Sequence, residues 1–210
     1  MSNTIEIGKS RIESFSDGVI AIIITLMVFD VKIPEIDSSA SGISMWNKVS
    51  EIIPHLLAYL LSFLLLGVYW VNHHHFFHSL TTTDRNLLWW NLNLLFWLSI
   101  IPIPTRFLAT HPMNPESTTM YAFNVFAASL SFTLMGRYAK ARNLMHQDIS
   151  RRRKKRLARM NTLGLILYGI SIFAGYLSVY ISYLIFFIVP AMYFIPPKIE
   201  LEAPAQIKKS

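Results

Sequence analysis

Six long apolar runs separated by short polar connectors constrain this 210-residue chain more than any other feature. They fall at about 12–31, 51–77, 86–107, 120–142, 160–177 and 179–196. A helix crosses the hydrocarbon core of a bilayer with about 20 mostly apolar residues. It also satisfies its own backbone donors and acceptors there. The expected fold is therefore an all-α integral membrane protein, a single domain over residues 1–210 with six transmembrane helices. Composition agrees: 15% of residues are charged, against about 25% in soluble domains, and mean hydropathy is +0.40.

The first run is expected to be retained. Lys9 and Arg11 precede it, and small residues follow from Ser38 to Gly42, which superficially resembles a signal peptide. A cleavage site lies directly after the apolar core of such a peptide. Here Asp30, Lys32, Pro34, Glu35 and Asp37 intervene.

Net charge is +7, and the excess is local: Ser150 to Arg159 holds seven of the nineteen basic residues. Between two spans, such a block marks the cytoplasmic side rather than a nucleic-acid surface, so no nucleic-acid partner is expected. Counting spans in both directions puts the N- and C-termini in the cytoplasm, the latter with Lys198, Lys208 and Lys209. The connector with Glu35 and Asp37 then faces outward, with Asp30 at the outer mouth. The expected location is the cell (plasma) membrane, as a multi-pass protein in contact with its lipids.

The chain is not expected to be an enzyme. It has no cysteine, hence no disulfide, thiolate metal site or catalytic thiol. Phosphate loop, nucleophile elbow and paired catalytic carboxylates are all missing from the sequence. His73, His74, His75 and His78 invite a metal reading, since His74 and His78 share a helical face. His55, His111 and His146 are isolated, and Asp84 is the only nearby carboxylate. No metal or other cofactor is expected. The cluster reads instead as the cytoplasmic end of the second helix, titrating near physiological pH.

The first run repays closer reading. It begins Arg11-Ile-Glu-Ser-Phe15-Ser16-Asp17 and is almost purely apolar from Val19 to Phe29. Asp17 stands at the rim of that apolar stretch, and an ionisable residue there is a functional candidate. Arg11 is nearly two helical turns away, so the partner of Asp17 is expected on another helix. Trp70, through its indole N–H, and His73 are candidates, three residues apart on the second run. Ile22, Leu26 and Phe29 recur at i, i+4 and i+7 and form one helical stripe. Thr25 lies about 60° from Ile22 around the helix.

Arg11-x-x-x-Phe15-Ser16-Asp17 followed by Ile22 and Thr25 resembles the signature of the lysosomal potassium channel family, transmembrane protein 175, in its single-repeat prokaryotic form. That family consists of cation channels with six helices per repeat, and its prokaryotic members are tetramers. The resemblance implies that the first helix lines the pore of a homotetramer. It implies an apolar gate at Ile22, Leu26 and Phe29, with Ile22 narrowest. An apolar ring gates by dewetting, because an ion sheds its hydration shell there only at high cost. Phe29 departs from the smaller aliphatic expected at its position. Thr25 either offers a hydroxyl to a partly dehydrated ion or back-bonds to a carbonyl one turn earlier. Arg11, Phe15, Ser16, Asp17, Trp70 and His73 are assigned to a network tying the first helix to the rest of the subunit. Potassium and other monovalent cations are the implied permeant ions. No Thr-Val-Gly-Tyr-Gly filter is present, which excludes selection by a carbonyl cage of that type; a modest potassium preference is what the resemblance implies.

Two other classes remain open at this level. One is a small proton-coupled secondary transporter using Asp17 and the His73–His78 cluster, with Pro102-Ile-Pro104 as a candidate helix break. The other is a non-conducting membrane scaffold.

Overall fold

The computed structural model describes residues 8–31, 46, 50–146 and 151–194. The connector with Glu35 and Asp37 and the tail with Lys198, Lys208 and Lys209 lie outside the described residues. Among the described residues the chain is helical, apart from an isolated antiparallel bridge between Leu80 and Met145.

Helix α1 (Lys9–Leu26) tightens into a 3-10 turn at Met27–Asp30. Its core-facing residues are Ile12, Ser16, Ile20, Ile23 and Met27, a stripe at steps of three and four residues that packs on α2 and α3. Helix α2 (Ile52–His78) is followed by a short connector to α3 (Arg85–Ile100). Asp84 caps α3, its Oδ1 accepting from Leu87 N at 2.8 Å. The proline pair does not end the third apolar run. Ile101 is the joint, and α4 (Pro102–Thr110) continues with proline in its first turn, where a missing N–H costs nothing. Thr105 Oγ1 donates back to Ile101 O at 2.7 Å across the joint.

Helix α5 (Pro115–Ala141) starts five residues before the apolar run does, because Asn114 accepts from Glu116 N and Pro115 occupies the first turn. It ends at Asn143, which takes the left-handed conformation (φ 56°) that asparagine tolerates. Helix α6 (Arg151–Leu177) takes the whole Arg/Lys block into its first turns. Helix α7 (Val179–Phe194) carries Pro190 inside it.

Helix α5 is central, packed against α3, α4, α6 and α7. Nearly half of its buried residues are polar: Ser117, Thr118, Asn124, Ser129, Ser131 and Thr133. Small and hydroxylated residues let helices approach and hydrogen-bond where lipid supplies no hydrophobic drive. Asn93 Nδ2 donates to Ser131 Oγ at 2.7 Å, and Thr119 Oγ1 to Ile172 O at 2.9 Å. Ser62 of α2 bonds Thr105 of α4 at 2.7 Å and Tyr121 of α5 at 3.1 Å. At Gly175 of α6 a β-carbon would collide with Thr118 of α5; glycine there permits the close approach. Among the described residues, four helical segments are long and apolar enough to cross a membrane: Lys9–Asp30, Ile52–His78, Arg85–Thr110 and Ala158–Leu177. Val179–Tyr193 is apolar but shorter. The chain is a multi-pass, all-helical membrane protein.

Candidate pore helix and its anchoring network

Helix α1 lies at the margin of the bundle and divides into two faces. One is the buried stripe just described. On the other, Phe15, Ile22, Leu26 and Phe29 are 55%, 58%, 55% and 81% exposed. Arg11, Phe15, Gly18, Ile22, Thr25 and Phe29 are all exposed and stand alternately four and three residues apart. That is the spacing by which like helices pack around a common axis. Ile22 and Leu26 lie within the α-helical part, and Phe29 within the 3-10 turn. Near that turn Asp30 reaches Arg106 of α4 at 4.0 Å.

Thr25 Oγ1 donates to the carbonyls of Ala21 and Ile22, each at 3.0 Å. Its proton is committed to the helix, while the oxygen remains exposed. A hydroxyl so oriented offers lone pairs, the polarity a cation requires.

The polar end of α1 is held by two separate contacts. On one side Trp70 Nε1–H of α2 donates to Asp17 Oδ1 at 3.0 Å. On the other, a chain of hydrogen bonds runs through the core. His73 Nε2 meets Asn91 Oδ1 at 2.8 Å, Asn91 Nδ2 donates to Ser16 Oγ at 2.9 Å, and Ser16 Oγ donates to Ile12 O at 2.9 Å. Ser16, His73 and Asn91 are 0%, 0% and 1% exposed. Because the Asn91 carbonyl can only accept, His73 carries its proton on Nε2. His73 stacks on Phe77 with centroids 4.4 Å apart.

The sequence-level candidates are thus distributed over distinct places. Asp17 and Trp70 meet directly; Ser16 and His73 meet only through Asn91. Trp70 and His73 are three residues apart, so their rings diverge by about 60° around α2, and His73 turns inward. Phe15 faces outward with the apolar stripe. Arg11 is exposed, and its guanidinium has no hydrogen bond or ion pair among the described residues.

The other histidines do not act as one cluster. His74 Nδ1 pairs with Glu13 Oε1 of α1 at 2.9 Å and stacks parallel to His78 at 6.3 Å. Among the described residues no three metal-ligating side chains converge. The C-terminus of α2 is capped by Lys9, whose Nζ donates to Leu80 O at 3.0 Å and His78 O at 3.4 Å.

Asn91, Glu13 and Lys9 therefore complete an anchor that the motif alone did not include. Asn91 carried a signal, being an amide inside an apolar run, where a polar group is costly unless paired. Glu13 and Lys9 carried none, since charged residues are ordinary at the end of a span. The cavity enclosed by α2, α5, α6 and α7 measures about 20 Å³, room for one water and too small for a hydrated ion.

The family model described as endosomal/lysosomal potassium channel TMEM175 matches residues 11–102. A protein named as a potassium channel from Chryseobacterium sp. (strain P1-3) is 40% identical over 127 residues, 60% of this chain and 62% of that one. The chain thus spans a little under two thirds of that relative. Another so named, from Chamaesiphon minutus, is 32% identical over 172 residues, 80% of this chain and 84% of that one. The crystal structure of a lysosomal potassium-selective channel TMEM175 homolog from Chamaesiphon minutus superposes with a TM-score of 0.77 at 29% identity, covering 88% of this chain and 95% of that one. Shared fold, a family model matched over residues 11–102 and identity across most of a relative's length lead to one conclusion: this chain belongs to the TMEM175 family of cation channels, which are not enzymes.

Proposed function

We propose that the chain is a potassium-preferring cation channel of the cell (plasma) membrane, conducting down the ion gradient through a pore lined by α1 in a homotetramer. Six spans per subunit are proposed, namely α1, α2, α3 with α4, α5, α6 and α7, with both termini cytoplasmic. Ile22, Leu26 and Phe29 form the apolar gate, Ile22 being narrowest, and Thr25 is the weak selectivity element. Ser16, Asp17, Trp70 and His73, joined by Asn91, hold α1 to its subunit, whereas Arg11 and Phe15 of the motif lie on its outer face. No cofactor takes part.

The observation that carries this reading is the two-faced character of α1. Its inner face is locked by Ser16–Asn91–His73 and by Asp17–Trp70, while its outer face presents Ile22, Leu26 and Phe29 with Gly18 and Thr25 among them. A purely lipid-facing stripe has no use for an exposed hydroxyl and an anchored carboxylate. One such helix cannot enclose a pore; about four helices of about 10 Å diameter around an axis do.

The test is the reversal potential of purified protein in a planar bilayer under a potassium/sodium gradient. Unitary steps with a shifted reversal are expected. A silent bilayer from well-folded oligomer overturns the reading.

A further inference from the structure

One end of the bundle carries more positive charge than its acids balance. Between Arg137 and Met160 stand ten lysine and arginine residues and a single acid, Asp148. Helix α5 brings Arg137 and Lys140 to this end, followed by Arg142, all exposed. Helix α6 begins at Arg151, seven residues before its apolar segment starts at Ala158. At about 1.5 Å per residue those turns extend about 10 Å. That length passes through the polar headgroup layer, about 5–8 Å deep on each side of a bilayer.

Among the described residues, the acids near this end have partners of their own. Asp84 caps α3 through one oxygen and accepts from Tyr138 Oη at 2.6 Å through the other. Glu13 pairs with His74, and Asp17 accepts from Trp70. Like charges this dense on adjacent turns repel, and an anionic headgroup relieves that repulsion. The anions present at this depth are lipid phosphates.

The basic end is also fixed to the pore helix. Thr81 N donates to Leu144 O at 2.8 Å and His146 N to Ser79 O at 2.9 Å, closing the bridge between Leu80 and Met145. Lys9 at the start of α1 donates to Leu80 O in the same connector. Arg142 lies over the Tyr138 ring at 5.9 Å. The end of α5, the α2–α3 connector and the first turn of α1 are thus one continuous seam.

We infer that this end binds the headgroup of an anionic phospholipid, through Arg137, Lys140, Arg142 and Arg159, and that occupancy is passed along the seam to α1. The binding half rests on the membrane-spanning fold. The coupling half rests on the channel function proposed above.

The chain has no cysteine, so Ala141→Cys, exposed at the end of α5, takes a single fluorophore. Proteoliposomes then receive equal mole fractions of phosphatidylglycerol or phosphatidylcholine spin-labelled near the headgroup. Phosphatidylglycerol is expected to quench at least about fivefold more effectively. That preference should fall towards one in Lys140→Gln/Arg142→Gln, and in about 1 M salt, where the Debye length is about 3 Å. Equal quenching by the two lipids overturns the site, as does a preference unaffected by the double substitution. Potassium efflux from vesicles with and without unlabelled phosphatidylglycerol tests the coupling. Wild-type flux is expected to change several-fold with the lipid, whereas Lys9→Met keeps the quenching preference and loses that response. Wild-type flux indifferent to the lipid overturns the coupling. Flux absent in every lipid overturns the channel reading and leaves the lipid site standing on the quenching result.

Discussion

Helices α1 and α5 belong to the same bundle with opposite sequences. Helix α1, with its 3-10 turn, is among the long apolar segments, yet Phe15, Ile22, Leu26 and Phe29 stand exposed on its outer face. Helix α5 is more polar than those segments, yet its serines, Thr118, Thr133 and Asn124 are buried among four neighbours. In a soluble protein the same two patterns would be read the other way round. Lipid inverts them: an apolar surface is indifferent to lipid, and polar groups belong where another helix can pair them. In such a chain an apolar residue can meet either the bilayer or the core, whereas a run of polar residues within a span marks a face turned to the subunit's own helices.

Substitutions that exchange the two roles test this. The largest effect is expected for Gly175→Leu. Its side chain enters the space held by Thr118 of α5, and overpacking of this kind costs about 1–3 kcal/mol or more. Size-exclusion profiles should lose most of the assembled protein; a normal profile would mean α5 is not enclosed as described.

Asn91→Leu comes next. It keeps the volume and leaves His73 Nε2 and Ser16 without their core partner. An orphaned buried group costs about 1–3 kcal/mol, so the melting temperature should drop by several degrees with the helix content intact. Asp17→Asn weakens the contact with Trp70 and should lower assembled yield more than it alters selectivity. Altered selectivity with intact assembly would put Asp17 in the ion path instead of the anchor.

Ile22→Asn should be nearly silent in stability, within about 0.5 kcal/mol, because the side chain is exposed in the subunit. Its effect is expected in current: a wetted constriction and a higher leak. Currents like wild type would remove Ile22 from the gate. The smallest change is Thr25→Val, which deletes the hydroxyl bonded to Ala21 and Ile22. Stability should again shift by less than about 0.5 kcal/mol, and the potassium/sodium permeability ratio is the quantity to read.

Much of the anchor was legible from one stretch of sequence, and its key linker was not. Asp17 at the rim of an apolar run announced a partner on another helix, and Trp70, with a donor N–H, was among the two candidates named. His73 was the other, but it lies around the helix from Trp70 and addresses Asn91. Asn91 is 75 residues from Ser16, and nothing local connects those positions. The third apolar run looked as if it broke at Pro102 and Pro104; a proline at a helix start instead begins α4, and only the backbone direction at Ile101 decides between the two. The beginning of α5 was misplaced for a related reason. Asn114 and Pro115 start the helix before hydropathy rises, so the capping signal leads the apolar one.

The sequence by itself determined the solvent, the helical class and the family, because apolar run length, the missing cysteines and the Arg11–Thr25 motif are local properties of the chain. Tertiary structure alone decided which faces of α1 are inner and outer, that α5 is the central helix, that Asn91 joins Ser16 to His73, and that Lys9 ties α1 to the α2–α3 connector. Those are relations between residues far apart in the chain. They follow from how helices pack, and packing depends on the shapes and hydrogen-bonding groups of two surfaces at once.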